Sequence, residues 1–307
     1  MSDISFSRQT TLLNANLICM ASMLIWAAGL PAADRLIPLL PGDQLTALRM
    51  LMSAAAVAAF WMLREGLRPA LRVNWPLGIA VGSLIGLGAW LLILGQARGG
   101  AVTAAVISST LPVVGIALEV VLDGRKLTPA LVLGLLLSLV GGIMALDLGT
   151  GGPSLGLGAM FCFASVVSFA LGSRLTVTAF PRETPYGRTA VTLTGAAIAA
   201  CVAAGMQWAF GGPAPTLAGW GWREWGAMAL FSVGALGISQ VMWIMSVERL
   251  GIGLSALHIN AAPFYVMLIL FALGAGWNWT QAAAAAVVGL GVLVAQGIVP
   301  LPFGRRA

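Results

Sequence analysis

His258 is the only histidine in the chain, two residues before Asn260 and five before Pro263, inside an apolar run. An imidazole within a membrane span is a functional candidate, because it can titrate near neutral pH where few other groups can. Around it the sequence offers two further kinds of group. Hydroxyls and amides on Ser22, Ser109, Gln240, Asn260 and Tyr265 can meet the polar parts of a solute. Trp26, Trp90 and Trp243 lie deep in apolar stretches, where an indole face stacks on rings or holds a cation. We expect these nine residues to line one substrate cavity. The remaining interface tryptophans, Trp75, Trp208, Trp220, Trp222, Trp225, Trp277 and Trp279, read as a membrane belt.

Other chemistries lack their parts. The carboxylates Asp34, Asp43, Glu65, Glu119, Asp123, Asp147, Glu183, Glu224 and Glu248 fall near helix ends or in loops. An intramembrane aspartyl protease needs two embedded aspartates, and a prenyltransferase needs acidic clusters for Mg²⁺ and diphosphate. No Gly-rich phosphate loop with lysine follows a strand, and no nucleophile motif surrounds Ser108, Ser109 or Ser255. Cys19, Cys162 and Cys201 lie in apolar segments without disulfide or metal spacing. The chain therefore reads as a protein that is not an enzyme and that carries no metal or cofactor. Without a central carboxylate, facilitated transport is expected, with His258 the one credible proton carrier.

The elements that must position these groups are transmembrane helices. The 307 residues are 59% hydrophobic and 8% charged, with mean hydropathy +0.96, far too few charges to cover a soluble domain of this size. A span needs about 20 apolar residues. Ten candidates follow, near 12–32, 43–63, 74–97, 99–122, 128–147, 154–178, 187–209, 222–247, 250–273 and 279–299. The first is read as a retained helix, because no cleavage-site pattern follows it. Twelve Lys and Arg residues fall at one side of this topology and four, Arg35, Arg49, Arg98 and Arg223, at the other. By the positive-inside rule both termini are cytoplasmic. The net charge of +6 is spread over short loops and makes no nucleic-acid stripe.

Two stretches repeat. ISSTLPVV at 107–114 answers HINAAPFY at 258–265, aligning Pro112 with Pro263, Arg98 with Arg249 and Gly100 with Gly251. CMASMLIWAAG at 19–29 answers CFASVVSFALG at 162–172. Residues 1–150 and 151–307 thus read as two copies of five helices each. Five is odd, so the copies must be inverted. The expected fold is an all-α integral membrane protein of ten transmembrane helices in two inverted five-helix repeats, and such repeats with interrupted helices mark secondary transporters. Pro112 and Pro263 are the expected hinges.

The stretch AVISSTLPVVGIALEVVLDGRKLTPALVLGLLLSLVGGIMAL at 105–146, with Leu127-Thr128, Gly134 and Gly141, resembles the drug/metabolite transporter superfamily in its EamA branch. Among subgroups the chain is most similar to bacterial exporters of aromatic and other neutral amino acids. The family often has Glu just before the Leu-Thr pair; here Arg125–Lys126 stand in that region, so no role of that Glu carries over. The resemblance implies export of small neutral metabolites, foremost amino acids, across the bacterial inner membrane by alternating access. An exporter of drugs or sugar derivatives is the alternative within the class, and a channel the alternative outside it. The implied partners are a small-molecule substrate and the lipid bilayer, with no nucleic acid, and the chain is a monomer or homodimer.

Three packing expectations complete the reading. Gly78, Gly82 and Gly86 form one close-contact seam, and Gly134, Ser138 and Gly142 another. Arg49 snorkels to the outer interface. Arg98 and Arg249 anchor helix ends.

Overall fold

Apolar sequence in lipid has to satisfy its own backbone, which helices do. The computed structural model describes residues 2–299 apart from 109, 146–155, 215, 273, 275 and 278, and among the described residues the regular structure is entirely helical. The elements are α1 (Ser2–Leu36), α2 (Gly42–Glu65), α3 (Arg68–Arg72), α4 (Trp75–Ser108), α5 (Leu111–Asp123), α6 (Pro129–Ala145), α7 (Leu157–Thr178), α8 (Pro185–Ala209) and α9 (Trp222–Ala229). A π-helical segment, Leu230–Ile238, joins α9 to α10 (Ser239–Leu250). Then come α11 (Ile252–Ala256), a 3-10 turn (Leu257–Ala261), α12 (Ala262–Ala272) and α13 (Trp279–Ala295).

Turn chemistry sets the boundaries. Pro41 precedes α2, and Gly66 at φ 80° ends it. Gly124 ends α5 at φ 65°, in the left-handed region where glycine alone is unstrained. Thr184 caps α8 by accepting from the Gly187 N–H, with Pro185 at the first helical position.

Six helices among the described residues are long and apolar enough to cross a membrane, and they fall on six of the ten expected spans. The other four are shorter or divided. The expected boundary near 97–99 is absent, for α4 runs unbroken through Gly99-Gly100 to Ser108. Glycines weaken a helix, but only proline removes one of its hydrogen bonds. The division falls at 109–110 instead, just before Pro112. The boundary between the two halves, at 150–151, lies outside the described residues.

Small residues decide which helices meet. Gly78 lies against Val191 of α8, and a Cβ on Gly82 would sit 2.6 Å from the Ala196 nitrogen. The first glycine seam therefore packs α4 on α8. Gly134 and Ser138 pack α6 on α13 around Gly291, where a Cβ would lie 2.7 Å from the Gly134 oxygen. Gly142 lies outside the described side chains. The larger contacts join α4 to α7, α1 to the π segment and α10, α2 to α8, α5 to α11 and α6 to α13. Side chains follow the same pairing: Ser165 Oγ donates to the Gly88 carbonyl at 2.6 Å, and Ser22 Oγ to the Ser239 carbonyl at 2.8 Å.

Backbone contact at Gly82 predicts a steep stability cost for any larger residue. Gly82→Leu is expected to lower the thermal midpoint in detergent, with a loss of roughly 1–3 kcal/mol from overpacking. Gly205→Leu, where a Cβ meets nothing within 4 Å, serves as control and stays near wild type. Equal midpoints for the two variants would refute the seam.

Candidate functional site

Both prolines stand where a helix starts again. Thr110 closes a turn after α4, its N–H at 3.0 Å and its Oγ1 at 2.6 Å from the Ile107 carbonyl, and Pro112 is the second residue of α5. In the other half the 3-10 turn follows α11, and Pro263 is the second residue of α12. Proline is tolerated in a first turn, where its missing N–H would have no intrahelical partner.

The expected site residues separate into three places. Trp26, Trp243 and Tyr265 join one buried cluster with Phe169 and Leu111. Trp243 donates its Nε1–H to Ser173 Oγ at 3.2 Å and lies 6.0 Å from the Phe169 ring. Ser22 borders this cluster fully buried, with its hydroxyl engaged by the Ser239 carbonyl. A second group lies around the 3-10 turn. His258 Nδ1 is 3.3 Å from the carbonyls of Leu254 and Ser255, so Nδ1 carries the proton and Nε2 is the acceptor of the neutral ring. Asn260 Nδ2 donates to Ser138 Oγ at 3.0 Å. Ser109 lies outside the described residues.

Unpaired polar atoms mark this region. Asn260 Oδ1, Ser255 Oγ and Gln240 Nε2 are buried and meet no hydrogen-bond partner among the described residues. Buried polar groups are almost always paired, so each of these needs a water or a solute. They are an amide oxygen, a hydroxyl and an N–H donor on the 3-10 turn, α11 and α10, elements that also give Ile259, Ala256 and Trp243 to the buried cluster, while Gln44 Oε1 and Ser53 Oγ are unpaired elsewhere in the fold.

Trp90 stands apart. It lines a cavity of about 290 Å³ between α2, α4 and α8, with Asp43, Thr46, Ser83 and the alanines 199, 200 and 203. That is the volume of a small solute, at the lower bound of about 300 Å³ for ligand pockets. Asp43 brings a carboxylate to this cavity beside an indole face, a pairing suited to an ammonium group.

Two charged residues behave differently from what their positions imply. Arg49 does not snorkel. Its Nε–H donates to the Phe231 carbonyl at 3.1 Å and its guanidinium stacks 3.9 Å above the Phe231 ring. The cause is the π segment, whose altered ladder brings a carbonyl and a ring within reach of α2. Glu119 counts as near a helix end, yet it is 6% exposed and accepts from the Gly253 N–H at 3.0 Å and from Arg125. The Phe231 and Gly253 contacts have no local sequence signal, since both partners come from elsewhere in the fold, whereas Arg125 is only six residues from Glu119. Arg98 does not stand at a helix end, because α4 continues to Ser108; its guanidinium stacks 5.1 Å over the Phe161 ring.

With this geometry in hand, known proteins can be compared. The sequence model of the EamA-like transporter family matches residues 13–146. Residues 13–146 are thus similar to the EamA-like transporter family, and this segment carries Arg49, Trp90, Pro112 and Glu119. An uncharacterized transporter of Bacillus subtilis (strain 168), YyaM, is 31% identical over 78 residues, covering 25% of this chain and 26% of that one. The match thus spans about a quarter of the relative's length. A solved crystal structure superposes with a TM-score of 0.76 at 24% identity, covering 93% of this chain and 97% of the other, which shows the fold.

The Arg49 contact predicts a specific failure. Lysine has neither the planar face nor the Nε–H of arginine. Arg49→Lys is expected to cost roughly 1–3 kcal/mol, the range for a hydrogen bond to a charged group, as a lower midpoint in thermal unfolding. An unchanged midpoint would show that Arg49 braces nothing.

Proposed function

We propose that the protein exports small neutral metabolites, foremost aromatic and other neutral amino acids, across the bacterial inner membrane by alternating access. The observation that carries this reading is the group of unpaired buried atoms, Asn260 Oδ1, Ser255 Oγ and Gln240 Nε2, beside the cluster of Trp26, Trp243 and Tyr265. A zwitterion with an apolar side chain needs both kinds of surface. Its ammonium would meet Asn260 Oδ1 and an indole face, its carboxylate the Gln240 Nε2–H and Ser255 hydroxyl, and its side chain the aromatic cluster. The site takes in Ser22 and His258 at its border. Trp90 and Asp43 form a separate station in the wider path.

In this reading the two halves, 1–150 and 151–307, are inverted repeats with both termini cytoplasmic. The recurring helix pairs and the matched hydroxyl bonds of Ser22 and Ser165 support it. Pro112 and Pro263 act as hinges, because a helix that restarts has no continuous ladder to hold it straight. Among the described residues no carboxylate bonds to the side chains of Asn260, Ser255 or Gln240, and Glu119 is engaged by Gly253 and Arg125, so the reading is movement down the substrate gradient without proton coupling.

In proteoliposomes, labelled phenylalanine or tryptophan should equilibrate without an imposed pH gradient. Gln240→Leu together with Asn260→Leu should lower the initial rate at least about tenfold, as expected when a solute's polar partners are removed from a buried site. Flux untouched by the double variant would move the site elsewhere, and proton-dependent accumulation would overturn the uncoupled mechanism.

A further inference from the structure

The two ends of the bundle are closed by different forces. At the arginine-rich end, where α2, α5, α7 and α10 finish, charges cross between elements. Arg174 pairs with Asp123, its Nε 3.0 Å from Oδ2, and joins α7 to α5. Arg188 lies 2.7 Å from Glu248 and joins α8 to α10. Thr184 Oγ1 donates to Glu65 at 2.7 Å. The innermost of these contacts is Glu119. Among the described residues it is the one carboxylate that is buried, and it accepts the Gly253 N–H at the start of α11 while Arg125 closes over its other oxygen.

The backbone is shaped to let Glu119 in. Gly251 has φ 83°, and a Cβ there would collide with Glu119 Oε1. A Cβ on Gly253 would lie 3.0 Å from Oε2, and one on Gly115 would lie 3.1 Å from the Gly253 Cα. Glycines at 115, 251 and 253 thus bring α5 and the start of α11 into direct contact, with the carboxylate set into the seam. At the offset of 151 that aligns the prolines, the residue matching Glu119 is Leu270, so the sequence provides no carboxylate at the corresponding place of the other half.

We propose that Glu119 is the latch of the cytoplasmic gate: its bond to the Gly253 N–H holds α5 against α11, Arg125 steadies the carboxylate from the end of α5, and together they keep the site closed to the cytoplasm. This inference rests on the alternating-access reading above. A carboxylate bound by a backbone N–H and a guanidinium gives strong but reversible bonds, unlike the continuous packing of the glycine seams. Opening exchanges these bonds for water, and closing remakes them without repacking a core.

Two native thiols can report the gate. Cys19 is fully buried with Sγ 3.6 Å from the Ser255 carbonyl of α11, on the latch side. Cys162, its counterpart in the repeat, is equally buried against Gly95 and Gly158, five residues inside the other end of α7. With Cys201→Ala as background, full-length protein in nanodiscs is treated with a small water-soluble thiosulfonate, and modification of each cysteine is timed by mass spectrometry. Glu119→Ala should speed modification of Cys19 about tenfold or more, the loss expected for a charge-assisted bond, and leave Cys162 unchanged. Arg125→Ala, which keeps Glu119 and the Gly253 bond, should give a smaller increase at Cys19 and decides the matter if Glu119→Ala does not fold. An unchanged Cys19 rate in the folded variants, or an equal rise at both cysteines, would overturn the latch. The measurement needs no substrate, so absent amino-acid flux with a selective Cys19 response would sink the transport reading and leave the latch standing.

Discussion

Direct contact between helix backbones governs everything else in this fold. Lipid chains are as apolar as leucine, so burial does not pull helices together within a membrane, and close approach of small residues has to do it. Where Gly82 meets Ala196 or Gly134 meets Gly291, no side chain intervenes. These seams give dispersion contact along several turns and fix the positions of α4, α6, α8 and α13. Of the helices with proline restarts, α5 packs on α11 and α7, and α12 on α1 and α13. A rigid frame around interrupted helices is what a protein needs if part of it is to move while the rest keeps its packing.

The fold was legible in the sequence where one local property decides the outcome. Apolar runs located the spans, and Pro112 and Pro263 located the helix restarts, because a missing N–H acts on its own segment whatever surrounds it. The boundary at 97–99 was misplaced for a related reason: Gly99-Gly100 weakens a helix without forbidding it, and α4 continues. The contacts of Arg49 and Glu119 were not legible, because each depends on a partner far away in sequence. Arg49 reaches a carbonyl 182 residues on, in a segment whose π geometry no composition announces. Glu119 is received by glycines more than 130 residues later. The candidate site was legible in part. His258 and Asn260 lie together at the 3-10 turn, while Trp90 belongs to a different cavity, since the rotation of α4 turns it toward α2 and α8.

Charge distribution tells the same story at a larger scale. The positive-inside bias is usually read as a signal for insertion, with no further duty in the folded protein. Here several of those cations have folded-state partners: Arg125 with Glu119, Arg174 with Asp123 and Arg188 with Glu248. At the other end Arg35 pairs with Glu224 at 2.7 Å, half exposed, where water weakens the attraction. A bias that orients the chain during insertion thereby also makes one end of the finished bundle the more strongly bonded.

The π segment at Leu230–Ile238 carries a consequence for the helix beyond it. Its hydrogen bonds skip one residue more than those of an α-helix, so it stores slack in the chain like a spare link. If one such turn tightened to α geometry, everything from Ser239 onward would rotate against α9 by one residue's step, about 100°. Gln240 and Trp243 ride on that portion, and Arg49 grips the carbonyl of Phe231 near its start. The run from α9 through the π segment to α10 is therefore built as a screw with a fixed collar, in which a small axial change becomes a change in which side chains face the neighbouring helices.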